Sequence, residues 1–240
     1  TPVSLLRMLV RGEESLRSVT LVEGWNWRQV RQALARAEML KPDSQAMDDA
    51  AVMRALGRPG IHPEGRFYPD TYTYAKGSSD LAVLRRALQA MDRKLGAAWA
   101  QRAPDTPLKT PDEALILASI VEKETGKPAD RALIAAVFTN RLRLGMMLQT
   151  DPTVIYGLGA AFDGNLRKRD LRTDTPWNTY TRAGLPPTPI AMPGSAALMA
   201  AVQPAQTRAL YFVARGDGSS QFSVTLDEHN RAVNRYQRGQ

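Results

Sequence analysis

The stretch Leu115-Ile116-Leu117-Ala118-Ser119-Ile120-Val121-Glu122-Lys123-Glu124 is largely apolar and closes on two carboxylates. It constrains the fold more than any other part of the chain, because a helix apolar on most faces has to be wrapped by other elements. Thr110 can cap its start, Pro111 suits the first helical position and Glu113 completes a capping box. Gly126 and Pro128 can stop it. At about 100° per residue, Leu117, Ile120, Val121 and Glu124 share one side, while Leu115, Ala118 and Glu122 fall on the other. A carboxyl group set among three aliphatic side chains resists ionisation, so its pKa is expected to rise. Such a group can keep a proton near neutral pH and donate it. The spacing by itself favours the other reading, a Glu124 paired to a Lys or Arg of a neighbouring element.

Around this helix the chain alternates helical and extended segments. Residues 3–9 read as a short helix and residues 18–22 as a strand. Asn26 can cap a helix over residues 27–37, and residues 43–56 read as a second helix broken by Gly57, Pro59 and Gly60. Residues 63–74 are aromatic, proline-bounded and not helical. Two readings of them stay open, an extended groove lining and a satellite core under a loop. Leu81, Leu84, Leu88, Met91 and Leu95 recur at three- and four-residue steps and predict a long amphipathic helix over residues 80–102. Residues 103–107 read as a linker. After the Glu124 helix comes another over residues 130–144, with Ala132, Ala136, Val137, Asn140 and Leu144 as packing positions. Residues 146–194 are rich in Gly, Pro, Asp, Thr and Asn, with a helix able to restart at Pro152. So long a polar, turn-rich stretch is unusual in a compact domain and often functional. A helix over residues 194–202 follows, then strands at 211–214 and 221–224 joined by a Gly-rich hairpin turn. Thr225 and Glu228 offer a second capping box, opening a helix to residue 236. The predicted class is α+β, a mainly helical domain with small antiparallel β elements.

The 240 residues allow one large domain or two small ones. A formal charge of +8 suits an anionic partner: nucleic acid, an anionic membrane surface, or an acidic polymer such as a glycan carrying carboxylated peptides. The basic residues are scattered and do not interleave with aromatics, which argues against nucleic acid. The absence of Cys excludes disulfides, thiolate nucleophiles and cysteine metal sites. His62 and His229 are far apart and in no metal-binding spacing, so no metal site and no cofactor is expected. No stretch is long and apolar enough to span a bilayer, and no signal peptide is visible. The first residues read as the interior of a domain, so a segment upstream of Thr1 is expected.

Two polar clusters can carry chemistry beside Glu124. Gln149-Thr150-Asp151-Pro152-Thr153 is a compact turn in which Asp151 can accept backbone hydrogen bonds; a capping turn without a substrate role is the other reading. Trp177-Asn178-Thr179-Tyr180-Thr181-Arg182 mixes ring, amide, hydroxyl and guanidinium groups, a mixture that suits a sugar, although Trp177 and Tyr180 can equally be core residues. Gly184-Leu185-Pro186-Pro187-Thr188-Pro189-Ile190 is stiff extended chain able to wall a groove. There is no Gly-x-Ser-x-Gly elbow for a Ser-His-acid hydrolase and no phosphate loop. Read from the residues alone, the chain is a groove enzyme with an acidic catalyst, or a purely structural or binding module.

Several stretches resemble the YceG-like family of endolytic murein transglycosylases. They are Leu117-Ala118-Ser119-Ile120-Val121-Glu122-Lys123-Glu124-Thr125, Asn140-Arg141-Leu142-Arg143-Leu144-Gly145-Met146, and the run from Leu148-Gln149-Thr150-Asp151-Pro152 through Tyr156-Gly157. Asn178-Thr179-Tyr180-Thr181, Gly184-Leu185-Pro186-Pro187, Tyr211-Phe212-Val213-Ala214, Leu21-Val22-Glu23-Gly24 and Phe67-Tyr68-Pro69-Asp70-Thr71-Tyr72 match as well. The resemblance implies a bacterial enzyme that cuts the β-1,4 bond between N-acetylmuramic acid and N-acetylglucosamine and leaves a 1,6-anhydromuramic end. It implies a single N-terminal helix in the inner membrane, with this region in the periplasm, acting beside peptidoglycan synthases of the elongation or division machinery. It also implies a LysM-like subdomain, of which residues 1–22 would be a remnant, then a helical region over 23–106 and a catalytic domain over 107–240.

The family's catalytic glutamate matches Glu124, expected to act first as acid and then as base. Glu122, two residues away and on the other side of the helix, is expected to support it, for instance through a salt bridge. Gln149, Thr150, Asp151, Tyr156, Asn178, Tyr180 and Thr181 are the expected residues for orienting Glu124 or holding sugars. Asp151 would raise the acid's pKa if it lies close.

Overall fold

A computed structural model describes residues 16–238; the helix expected at residues 3–9 lies outside them. The α+β class is borne out. Among the described residues there are nine α-helices and two two-stranded antiparallel sheets. Strand β1 (Leu16–Thr20) pairs with β2 (Thr71–Ala75), Val19 facing Tyr72. Helices α1 (Trp27–Arg36), α2 (Asp49–Ala55) and the first half of α3 (Asp80–Ala100) pack with this ribbon around Trp27, Val30, Met53, Phe67 and Leu84. A second core gathers the later part of α3 with α4 (Pro111–Glu124), α5 (Pro128–Arg143) and α8 (Ser195–Val202). Because α3 serves both cores, Leu84 and Leu88 pack in one and Met91 and Leu95 in the other.

Helix α4 is the centre of the second core. From Ala114 to Val121 only Ile116 keeps contact with solvent, as the apolar pattern requires. Each fully buried aliphatic side chain of this kind contributes about 1.5–3 kcal/mol. Thr110 caps the helix as expected, its hydroxyl accepting the Glu113 N–H at 3.1 Å. The stiff proline segment packs along α4: the Ser119 hydroxyl accepts the Ile190 N–H at 3.0 Å and donates to Ile116 O at 2.7 Å. At the chain's end, β3 (Tyr211–Ala214) and β4 (Ser220–Ser223) form the expected hairpin, and α9 (Leu226–Gln237) opens on the Thr225–Glu228 capping box.

Three expectations change. The helix expected over 43–56 shrinks to α2, because Asp48 caps it from Ala51 N–H at 2.6 Å. Before that cap the backbone is held by side chains: Asp80 accepts the Ser44 N–H at 3.0 Å, and Arg31 donates to the Ser44 and Gln45 carbonyls. Of the open readings for residues 63–74, the aromatics Phe67, Tyr72 and Tyr74 follow the core one, while Glu64 lines a cavity. Phe67, Tyr72 and Tyr74 are buried, and residues 71–75 form the strand β2. Leu144 is 63% exposed instead of packed, since α5 ends at Arg143 and the chain turns away at Gly145.

Candidate active site

Glu124 is the last residue of α4, where the chain leaves the core. Leu117, Ile120 and Val121 on its side of the helix are fully buried. The carboxyl therefore sits mostly out of water at the negative end of the helix dipole, and both conditions disfavour its charge. Burial pushes its pKa up to about 7; the Asp151 charge pushes the same way, and the Thr150 hydroxyl opposes them. The alternative left open by the sequence, pairing with a Lys or Arg, is not what is found: among the described residues Glu124's side-chain partner is Thr150.

Thr150 precedes α6 (Asp151–Leu158) at its N-cap, yet its hydroxyl does not cap that helix. It donates to Glu124 Oε1 instead. A chain of hydroxyls stands behind it. Thr150 N–H donates to Thr179 Oγ1 at 3.1 Å, and Thr153 and Thr179 share a hydrogen bond of 2.8 Å. All three threonines are buried. Gln149 adopts a left-handed backbone, φ 52°, unusual for a residue with a Cβ. Its N–H donates to Thr179 O at 3.1 Å. Backbone of this kind costs about 1–3 kcal/mol and persists where neighbours fix it.

The fixing residue is Arg141, buried on α5. Its guanidinium donates to Leu148 O at 2.9 Å and Met147 O at 3.2 Å on one side, and to Leu210 O at 2.7 Å on the other. It lies 5.2 Å from the Tyr211 ring. Arg141 thus ties the turn that carries Gln149 and Thr150 to the start of β3. Its site role was not read from the sequence, although a signal existed. Ile134, Val137, Phe138 and Arg141 form one helical stripe, and the first three are core residues.

Glu124, Gln149, Thr150, Asp151 and Tyr180 line one cleft of about 520 Å³. Its far wall is the hairpin and α9, with Tyr211, Phe212 and His229. His229 stacks on Tyr211 with ring centres 5.2 Å apart, and burial holds its pKa below the usual histidine value. Tyr180 donates its hydroxyl to Asp151 Oδ1 at 2.6 Å, so both face the cleft as a pair.

Four expected site residues lie elsewhere. Glu122 accepts the Gly194 N–H at 3.0 Å, a backbone contact at the start of α8 where a salt bridge was expected. Asn178 is fully buried and pins its loop, donating to Thr173 O at 2.7 Å and accepting the Tyr180 N–H at 2.8 Å. It positions Tyr180 without facing the cleft. Thr181 donates to Asp174, which also pairs with Arg182. Tyr156 lies on the other side of α6, edge-on to Trp177 at 5.4 Å, in a separate cavity of about 480 Å³. The reason is helical: five residues along an α-helix turn the side chain by roughly 140° from Asp151. The proline segment contributes Ile190 to that second cavity and not to the cleft.

The model of the YceG-like family matches residues 1–235. An endolytic murein transglycosylase of Bacillus subtilis is 39% identical over 176 residues, covering 73% of this chain and 48% of the relative. One from Streptococcus pneumoniae is 32% identical over 175 residues, covering 71% of this chain and 31% of the relative. The chain therefore spans less than half the length of these curated relatives. A crystal structure of a putative YceG-like protein from Listeria monocytogenes superposes with a TM-score of 0.74 at 31% identity, over 96% of this chain and 80% of that one. Sequence and fold agree, and the chain belongs to the YceG-like family.

Proposed function

We propose that this chain carries the catalytic region of an endolytic peptidoglycan lytic transglycosylase. The observation that carries the reading is Glu124, a carboxyl group with a pKa raised to about 7, opening on a cleft and held by one hydroxyl. Protonated Glu124 donates to the glycosidic oxygen between N-acetylmuramic acid and N-acetylglucosamine. The C–O bond breaks, and the C6 hydroxyl of the muramic residue attacks C1. The Glu124 carboxylate takes the hydroxyl proton, which returns it to its starting state and leaves a 1,6-anhydro end. Because the nucleophile is tethered to the sugar, the step profits from proximity and needs no second carboxylate to activate water. Thr150 aims the acid, Asp151 holds its pKa up, and Gln149 and Tyr180 are the cleft groups available to the sugars.

The relatives' name supports this substrate and reaction. By the same family resemblance the region works in the periplasm, tethered to the inner membrane and beside peptidoglycan synthases. No helix among the described residues is long and apolar enough to cross a membrane. Within residues 1–22, read as the end of a LysM-like subdomain, residues 16–20 form β1 and pair with β2.

The pH dependence tests the acid. A raised carboxyl pKa leaves the donor form populated below about 7, so kcat/KM for anhydro-end release is expected to fall as pH rises through that value. Asp151→Asn removes a charge that raises the pKa and should move the limb to lower pH. Thr150→Val removes a hydrogen bond that lowers it and should move the limb up. A limb unmoved by both substitutions would assign the titration to another group.

A further inference from the structure

The cavity behind α6 holds polar groups that the reaction above does not use. Lys123 and Pro152 line it, while their chain neighbours Glu124 and Asp151 line the cleft. The two spaces are therefore separated by little more than the thickness of α6, about 10 Å. An extended peptide spans about 10 Å in about three residues, at roughly 3.3–3.6 Å each, and has to pass around the helix end with a few residues more.

The cavity's chemistry has both signs. Arg28 and Lys123 stand exposed at its rim, and the Lys123 ammonium donates to the Gly24 carbonyl at 3.3 Å. Asp49 lines the same cavity; it accepts the Trp27 indole N–H at 2.7 Å and pairs with Arg31 at 3.3 Å, and 49% of its side chain stays exposed. Deeper in, Glu64 is 2% exposed and accepts the Trp27 backbone N–H at 3.0 Å. Ile155, Ile190 and Trp177 supply apolar wall. An uncharged disaccharide would cover these ionic groups without matching them, at a desolvation cost. A short peptide with carboxylates and an amine matches both signs and fills the apolar wall with its methyl groups.

We propose that this cavity is a subsite for the peptide stem borne by the muramic residue whose glycosidic bond lies at Glu124. Its carboxylates face Arg28 and Lys123, and its amine faces Asp49. The inference rests on the proposed reaction and adds a preference for stem-bearing strands.

The test compares an Arg28→Ala/Lys123→Ala double variant with wild type on glycan strands that keep their stems and on strands stripped of them by an amidase. On stemmed strands kcat/KM is expected to drop about tenfold, through KM, for the loss of two partly exposed ion pairs. On bare strands the two proteins should agree within about twofold, which also reports that the variant folds. An equal loss on both substrates, or no loss on stemmed strands, overturns the subsite. If wild type releases anhydro ends from neither preparation, the reaction is wrong, and the subsite is judged by binding alone. Titration with a soluble muramoyl tripeptide should then show about tenfold weaker binding to the double variant, and equal binding overturns the proposal.

Discussion

Glu124→Gln is expected to keep the fold and to lower anhydro-end release by about 10²–10⁴-fold, the range in which a positioned general acid contributes. The substitution keeps the shape of the side chain. Its amide oxygen can still accept the Thr150 hydroxyl, and Leu117, Ile120 and Val121 still pack beneath it. What it lacks is a proton to give. The burial that raises the carboxyl pKa also makes a neutral amide easy to accommodate, so no loss of stability is expected. Circular dichroism with muropeptide analysis of digested sacculi measures both parts. Glu122→Gln is the control on the same helix. A glutamine oxygen there still accepts the Gly194 N–H, so activity should be largely retained. An active Glu124→Gln beside a dead Glu122→Gln would exchange their roles.

Arg141→Ala is expected to have the second largest effect, this time on both stability and rate. Three backbone carbonyls lose their donor, that of Leu148 in a buried hydrogen bond and those of Met147 and Leu210 in partly buried ones. An unsatisfied buried acceptor costs about 1–3 kcal/mol, and with partial relaxation a total near 3 kcal/mol is expected. The rate should fall by about 100-fold, because the turn that aims Thr150 at Glu124 loses its tether and small displacements of a catalytic group are that costly. Arg141→Lys separates the two effects. Lysine keeps a charge but lacks the planar fork that reaches both sides. It should recover part of the stability while the rate stays low. Urea unfolding and turnover on the same samples decide the matter, and a full rate in a stable lysine variant would contradict the positioning role.

The parts of this protein that were legible in the sequence are those set by local rules. Capping residues marked the starts of α1, α4 and α9, apolar periodicity marked α3, and the Gly-rich turn marked the hairpin. Even the pKa of Glu124 followed from its helical neighbours. Other features depended on which face met which element. Tyr156 was expected beside Glu124 with the other residues of its motif, yet α6 turns it to the opposite side. Asn178 looked like a sugar ligand because its amide is polar, yet it satisfies carbonyls inside its own loop. Residues 43–48 looked helical, but side chains from distant Arg31 and Asp80 claim their backbone groups. Helix α7 (Lys168–Arg172) is a single short turn in a polar stretch and carries no periodic signal. Arg141 was hidden by its charge, which reads as surface unless the apolar stripe beneath it is noticed.

The central claim is that Glu124 moves one proton twice while a tethered hydroxyl, and not water, closes on C1. Digesting purified sacculi in ¹⁸O-labelled water and weighing the released muropeptides tests it directly. The account predicts ends lighter by one water than a hydrolysis product and free of label. Labelled reducing ends would contradict it, and would assign the cleft to a hydrolase in which water, with Asp151 as the second carboxylate of the cleft, takes the place of the C6 hydroxyl.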